Sequence, residues 1–233
     1  RCKPLLEKTD AQAGGVSGRA TVDHLLVLKE AINSSRNPME NGKKPIFIAF
    51  LDVTKAYDKA WLDGMMNVMY KNGINNYLWR QIKTLSSNLT ARIKTKHGIS
   101  REIEIKDSIR QGGVLSVMMY ALLMDEIAKE IEQEGIGIEI AGTDSKIGCL
   151  LWMDDVVLMH NTPDGLQQLL DITEKFAKKY HIEFGKEKSK YMVIGTKCNK
   201  KFKMGDLEIE RVEKYKYLGE ILNEILSLLK NLK

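Results

Sequence analysis

The pattern of apolar and polar positions divides the chain into blocks of helix and strand. Residues 21–33 place apolar side chains near helical spacing, which predicts an amphipathic helix. A loop rich in Ser, Asn, Pro, Gly and Lys is predicted over residues 33–45. Residues 46–52 form an unbroken apolar run that ends in a carboxylate, which indicates a strand buried on both faces. Further helices are predicted over residues 55–71, 76–87, 114–132 and 163–180.

Paired strand signals fill the remaining segments. Residues 90–96 and 101–107 alternate in side-chain character across His97-Gly98, which predicts a β-hairpin. Two apolar runs, residues 146–153 and 156–160, are joined at Asp154-Asp155, which indicates a tight hairpin. Short strands are predicted near residues 190–195 and 214–218. Because helices and strands do not alternate regularly, the expected fold is α+β, with helices packed on an antiparallel sheet.

Composition restricts the class of protein more than its activity. The chain has 233 residues, of which 43% are hydrophobic and 29% charged, so it is neither a fibre nor a disordered tail. Its apolar runs are too short to cross a bilayer. A net charge of +5 suits a polyanionic partner but does not require one. Three widely spaced cysteines argue against a disulfide framework or a zinc module.

Three carboxylates are the candidate metal-binding and catalytic groups. Asp52 ends the buried strand, and Asp154 and Asp155 lie at the hairpin tip. If these strands are neighbours, the carboxylates meet, repel each other and need a cation. Hard oxygen ligands favour Mg²⁺ or Mn²⁺, and two such ions form a clamp for phosphoryl transfer. Taken alone, Asp-Asp at a turn is ordinary turn chemistry, and Asp after a strand is an ordinary helix-start signal.

The flanking sequence favours the catalytic reading. Residues 50–58, Phe-Leu-Asp-Val-Thr-Lys-Ala-Tyr-Asp, resemble the first palm motif of reverse transcriptases. Residues 108–116, Ser-Ile-Arg-Gln-Gly-Gly-Val-Leu-Ser, are similar to the family's Arg-Gln-Gly motif. Residues 151–156, Leu-Trp-Met-Asp-Asp-Val, resemble its catalytic hairpin. All three occur in the family's order, which makes the set far more specific than any one motif.

Segments outside the core extend the resemblance over nearly the whole chain. Residues 12–21 are similar to a finger segment, residues 185–189 to the segment after the catalytic hairpin, and residues 215–219 to the Tyr-Leu-Gly strand of the primer grip. This set is typical of non-LTR (LINE-type) retrotransposons. The resemblance implies a partial reverse transcriptase domain over residues 1–233. Its parts would be a fingers segment (1–45), a palm with inserted helices (46–195), and primer-grip strands with a truncated thumb (196–233). The fingertips and most of the thumb are expected to be missing.

The resemblance also implies an activity and partners. The expected function is RNA-directed DNA polymerase, which adds dNTPs to a primer 3′-hydroxyl by two-metal nucleotidyl transfer during retrotransposition. The expected partners are an RNA template, a DNA primer or target and dNTPs, without a membrane and with the oligomeric state open. The expected location is the nucleus and the cytoplasm.

Individual roles follow from the matched motifs. Two Mg²⁺ or Mn²⁺ ions would be held by Asp52, Asp154 and Asp155 with the Val53 carbonyl. The other candidates are Ala56, Tyr57, Gln111 and Gly112 at the nucleotide, Arg110, Tyr217, Leu218 and Gly219 at the template or primer, and Lys188 as a general acid. Tyr57 stands at the family's steric gate, which excludes a ribose 2′-hydroxyl.

Each assignment has an ordinary structural alternative. Tyr57 could be a core aromatic residue, and Gln111-Gly112 a simple turn before a helix. Lys188 lies between Lys186 and Lys190, which also fits a solvated face. At the level of function, the alternatives are an RNA-dependent RNA polymerase, a nucleic-acid-binding relic without turnover, and a purely structural domain. Met153 and Tyr57 disfavour the RNA polymerase, whose hairpin is usually Gly-Asp-Asp.

Overall fold

A six-stranded sheet organises the part of the chain described by the computed structural model, which is residues 8–36, 44–105, 109, 113–140 and 145–223. Its strands, in spatial order, are β11 (Phe202–Met204), β12 (Leu207–Arg211), β10 (Lys190–Ile194), β1 (Ile46–Asp52), β9 (Asp155–His160) and β8 (Cys149–Trp152). All neighbours are antiparallel except β10 and β12.

Helices cover the sheet, and small hairpins surround it. The helices are α1 (Thr21–Arg36), α2 (Leu62–Lys71), α3 (Asn76–Ser86), α4 (Val114–Glu134) and α5 (Pro163–Tyr180). Four two-stranded ladders join β2 (Leu89–Ala91) to β5 (Ile103–Ile105), β3 (Lys94–Thr95) to β4 (Gly98–Ile99), β6 (Ile138–Glu139) to β7 (Lys146–Ile147), and β13 (Lys214–Tyr217) to β14 (Glu220–Asn223). In the described part of the chain, no helix is long and apolar enough to span a membrane.

The central strand β1 separates two apolar cores. Phe47, Ala49 and Leu51 face the larger core, which is built with α2, α4 and α5. Ile46, Ile48 and Phe50 face a second core that includes residues of α1 and of the β13–β14 hairpin. This two-sided burial explains why the segment is a continuous apolar run and does not alternate.

The strongest sequence patterns predicted their elements accurately. β1 spans the predicted residues 46–52, and α5 spans the predicted residues 163–180. The backbone N–H of Gly165 donates to Thr162 Oγ1 at 3.1 Å, as expected for an N-cap. The α+β fold class is confirmed.

Several boundaries differ from the predictions. The helix predicted from residue 55 begins only at Leu62, because residues 54–59 form turns in which Lys55 has a φ of 51°. Two long-range bonds hold this segment: Thr54 N donates to the Glu183 carbonyl, and the Tyr57 carbonyl accepts from Ile109 N. The predicted loop 33–45 starts later, because α1 continues to Arg36. Residues 37–43 lie outside the described part.

The hairpin predicted over residues 90–107 exists but is interrupted. Its base is the β2–β5 ladder and its tip is the β3–β4 ladder. Between them, Ser100 accepts the Ile93 N–H on its side-chain oxygen at 2.9 Å, which replaces a ladder bond between backbone groups. Residues 106–108 lie outside the described part of the chain.

Candidate active site

Two neighbouring strands bring the predicted carboxylates together. β1 and β9 are antiparallel partners, and their register places Asp52 opposite Asp155. Asp154 immediately precedes Asp155 in the turn that joins β8 to β9. The three predicted carboxylates therefore lie at the end of the central strand.

The hairpin turn is displaced by one residue from the predicted position. Trp152 pairs with Asp155, so the two turn residues are Met153 and Asp154, and Asp155 belongs to β9. Met153 has a φ of 58°, a left-handed conformation that is uncommon for a side chain of this kind. Pairing fixes the backbone of Asp155 in the sheet, while Asp154 is carried by the turn.

Burial and mutual repulsion disfavour the charged forms of the two hairpin carboxylates. Burial, followed by the charges of Asp154 and Asp52, raises the pKa of Asp155 to about 6. The pKa of Asp154 is raised as well, chiefly by burial and further by the charge of Asp52. A cation placed among these groups would favour their charged forms and so lower both pKa values.

A lysine ammonium supplies one positive charge at the site. Lys188 Nζ lies 3.1 Å from Asp52 Oδ1, although the lysine side chain is 71% exposed. Hydrogen bonding to Asp52 and the attraction of that carboxylate raise the pKa of Lys188. Lys188, which the sequence left between a catalytic role and a solvated face, is thus placed directly at the carboxylates.

The donor set suits a hard cation, but its side chains are not arranged around one. Carboxylate oxygens are the ligands that Mg²⁺ and Mn²⁺ prefer. Among the residues that the structure describes, no three His, Cys, Asp or Glu side chains are positioned to hold one metal ion together. For Asp52 to share a cation with the hairpin carboxylates, its side chain would have to give up the contact with Lys188. Val53 is buried and forms an isolated bridge with Phe184.

The segment after α5 is bonded to both sides of Asp52. Gly185 N donates to the Asp52 carbonyl at 2.9 Å, and Asp52 N donates to Ser189 Oγ at 3.4 Å. A Cβ atom at Gly185 would lie 3.0 Å from Thr54 Oγ1, so glycine permits this close approach. Residues 185–189 therefore form one wall of the site.

Tyr57 lies near Asp154, which is in the turn between β8 and β9. It is half-buried and stacks on Tyr120 of α4 with ring centroids 5.4 Å apart. Burial and then the charge of Asp154 raise the pKa of Tyr57. Its neighbour Ala56 is buried in the larger core. Tyr57 is thus neither wholly a core residue nor wholly a surface one.

The sequence reading missed the role of Gln12. Its side chain is buried, and Gln12 Oε1 accepts from Gly14 N at 2.9 Å and from Met153 N at 3.4 Å. The backbone of the same segment bonds to β8, where Ala13 N donates to the Leu151 carbonyl. This segment therefore supports the turn that carries Asp154. The only sequence signal was its position in the matched finger motif.

The β13–β14 hairpin packs next to the carboxylates. Tyr217 is buried, and Leu218 and Gly219 form the turn, with φ angles of 47° and 93°. The predicted strand 214–218 therefore ends at Tyr217. Burial, and next the charge of Asp155, raise the pKa of Tyr217 well above its usual value. Three other predicted site residues lie outside the described part of the chain: Arg110, Gln111 and Gly112.

Comparisons with known proteins show what this chain is similar to. Residues 4–222 match the family described as reverse transcriptase (RNA-dependent DNA polymerase). A retrovirus-related Pol polyprotein from the type-1 retrotransposable element R2 of Nasonia vitripennis is 30% identical over 77% of this chain, which spans 18% of that protein. The RNA-directed DNA polymerase from the mobile element jockey of Drosophila melanogaster is 24% identical over 86% of the chain, which spans 22% of it.

Solved structures are similar in fold. The telomerase of Candida albicans, in complex with a fragment of telomeric RNA, superposes with a TM-score of 0.65 at 14% identity, over 91% of this chain and 33% of the telomerase. Apo telomerase of Candida tropicalis, truncated from its C-terminal domain, gives a TM-score of 0.61 over 87% of the chain. At this identity the likeness concerns the fold alone.

Proposed function

Since the chain belongs to the reverse transcriptase (RNA-dependent DNA polymerase) family, we propose that it catalyses RNA-directed DNA synthesis. The α+β fold is that of a polymerase palm. The observation that carries the proposal is the pairing of Asp52 with Asp155, with Asp154 in the adjoining turn. The matched family residues thus meet at one end of the sheet.

The carboxylates would serve as metal ligands. Asp52, Asp154 and Asp155, with the Val53 carbonyl, would hold two Mg²⁺ or Mn²⁺ ions. When bound, such ions lower the pKa of the attacking hydroxyl and neutralise charge on the phosphates. The raised pKa values of Asp154 and Asp155, which result from burial and then from neighbouring carboxylates, support this role because a bound cation would favour the charged forms.

The surrounding residues would bind and orient the substrates. The Tyr57 ring would lie against the sugar and exclude a ribose 2′-hydroxyl, with Ala56 behind it. Lys188, once released from Asp52, would donate a proton from its ammonium to the leaving pyrophosphate. Gln111 and Gly112 would lie at the templating pair. Arg110 would contact the template backbone, and the Tyr217–Gly219 segment the primer.

The proposal extends to the domain organisation, the substrates and the location of the protein. We propose residues 1–45 as a fingers segment, 46–195 as the palm and 196–233 as primer-grip strands leading towards a thumb. The template would be RNA, the primer would be target DNA and the substrates dNTPs, during retrotransposition. Phosphate contacts would dominate affinity and make it sensitive to salt. We expect the full protein to be located in the nucleus and the cytoplasm, by analogy with proteins encoded by such retrotransposons.

Incorporation of labelled dTTP on poly(rA)/oligo(dT) with Mg²⁺ or Mn²⁺ tests the proposal. We expect incorporation by the wild type and loss of it in Asp154→Ala. Asp206→Ala is the matched control, because Asp206 is an exposed aspartate in the turn between β11 and β12, at the opposite edge of the sheet from β8. Undiminished incorporation by Asp154→Ala would refute the site.

The same preparation separates the enzyme from a binding relic. A relic would bind the primer–template in a salt-sensitive manner without incorporating dTTP. Binding without incorporation, in the presence of either metal, would overturn the proposed activity and leave the relic as the function.

A further inference from the structure

The ammonium of Lys188 is held at Asp52 from an exposed turn. Residues 186–188 form this turn and are solvent-exposed. A lysine side chain gives up considerable rotamer freedom when it keeps one partner, and an exposed ion pair contributes little free energy. The contact at 3.1 Å therefore depends on how firmly the backbone of the turn is placed.

Bonds to β1 and within the turn fix its two ends. Gly185 N donates to the Asp52 carbonyl, and Ser189 Oγ accepts from Asp52 N. Ser189 N also donates to the Gly185 carbonyl at 2.9 Å, which closes the turn. Ser189 is fully buried, whereas Lys188 itself is exposed. None of these bonds involves residues 186–188 at the tip of the turn.

Tyr215 of β13 holds that tip. Its hydroxyl donates to the Lys188 carbonyl at 3.0 Å. Its ring stacks on Phe50, with centroids 4.2 Å apart and an interplanar angle of 13°. Phe50 is buried in the second core, two residues before Asp52. Burial, with the charges of Asp155 and Asp52, raises the pKa of Tyr215 to about 12, so the phenol keeps its proton at neutral pH.

We propose that Tyr215 is a positioning residue for Lys188: its hydroxyl holds the backbone of the 186–188 turn and so keeps the ammonium at Asp52. Through this bond the β13–β14 hairpin is coupled to the carboxylates. A primer that displaces the hairpin would therefore also displace Lys188. The inference rests on the proposed function where it concerns catalysis, but the hold on the turn can be measured without activity.

A purely structural role for Tyr215 makes a different prediction. If only the stacking of its ring on Phe50 mattered, Tyr215→Phe would behave as the wild type, because it retains the ring and removes only the hydroxyl. Tyr191→Phe is the matched control. The Tyr191 hydroxyl donates to the Lys200 carbonyl at 3.1 Å, so this variant loses the same type of bond elsewhere in the sheet.

Hydrogen–deuterium exchange of the protein without nucleic acid is the first readout. We expect amides in residues 185–189 to exchange about threefold or more faster in Tyr215→Phe, as loss of one hydrogen bond implies. The same amides should be unaffected in Tyr191→Phe. Unchanged exchange at residues 185–189 in Tyr215→Phe would overturn the inference, whether or not the protein polymerises.

A double-mutant cycle with Lys188→Gln is the second readout. On poly(rA)/oligo(dT), Tyr215→Phe should lower kcat about threefold to tenfold and leave the KM for dTTP nearly unchanged. In the Lys188→Gln background the same substitution should have no further effect. Independent, multiplicative effects would contradict the coupling. Absence of activity in the wild type would count against the proposed function alone, and the exchange measurement would still decide on Tyr215.

Discussion

Single residues divide the site into two sides. Burial raises the pKa of four tyrosines near the carboxylates. The charge of Asp154 adds to this rise for Tyr57 and Tyr120, whereas the charge of Asp155 adds to it for Tyr215 and Tyr217. The turn carboxylate thus faces the proposed nucleotide side, and the strand carboxylate faces the proposed primer side.

Tyr57 is expected to set sugar selectivity. Tyr57→Ala should lower the preference for dTTP over UTP by roughly 10- to 100-fold, because it removes the ring that, in the proposed function, blocks a 2′-hydroxyl. Tyr57→Phe is the control and should keep the preference, since the ring and its stacking on Tyr120 remain. The ratio of kcat/KM for the two nucleotides is the measurement. An unchanged ratio in Tyr57→Ala would exclude the gate.

Residue types could be predicted here, but their contacts could not. Asp52 and Asp154 were found because each ends an apolar run inside a matched motif. The Lys188–Asp52 ion pair was not foreseen, because no sequence pattern fixes the rotamer of an exposed lysine. Gln12 was missed for a related reason: its burial results from pairing with β8, which is distant in sequence.

At the scale of elements, the turn between β8 and β9 depends on the segment behind it, residues 12–14. A Cβ atom at Gly14 would lie 2.4 Å from Met153 N, so only glycine fits there. Gln12, in the same segment as Gly14, accepts a hydrogen bond from this Met153 N–H through its Oε1 at 3.4 Å. Residues 11–14 and the β8–β9 hairpin therefore form one unit.

Gly14→Ala should displace the turn and impair both stability and incorporation. Overpacking of this kind costs about 1–3 kcal/mol, so the free energy of unfolding in urea should fall by that amount. Gly18→Asn is the control: a Cβ at Gly18 meets nothing within 4 Å, and its φ of 84° is one that Asn tolerates. Equal stabilities for Gly14→Ala and the wild type would show that the turn does not need the glycine.

Elements were predictable where one strong local pattern decided them. β1 and α5 have such patterns, so their bounds were predicted correctly. The predicted start of α2 was wrong, because hydrogen bonds to Glu183 and Ile109 hold residues 54–59 in turns. β11, β12 and β14 were not predicted, since each is short and its side chains alternate between the core and solvent only over a few residues.

At the scale of the whole molecule, the second core contains a histidine that is costly to protonate. His24 of α1 is 3% exposed, and its Nε2 has no hydrogen-bond partner among the described residues. It packs against Trp152 and Tyr217, which joins α1 to the β8–β9 hairpin and to β13. Burial, and then the charge of Arg19, lowers the pKa of His24 to about 4.

Acid is therefore expected to destabilise the fold through His24. Its pKa is about 6.5 when unfolded and lower when folded, so the unfolded state binds more protons as the pH falls. The contribution of the neutral imidazole to the free energy of unfolding is fully present above pH 6.5. It is lost progressively as the pH falls towards 4, by up to about 3 kcal/mol. Urea unfolding of the wild type and of His24→Leu across this range should give diverging stabilities. Parallel curves would contradict the assignment.

The central position of β1 has a consequence for biosynthesis. Ile46 pairs with Ile194 and Asp52 with Asp155, so both neighbours of this strand are made long after it. A nascent chain that has reached only α4 carries an apolar strand with two unpaired edges, which is a template for aggregation. Such high contact order slows folding. The carboxylate pair therefore assembles only after β9 has been made, and premature termination before β9 leaves β1 without either of its neighbours.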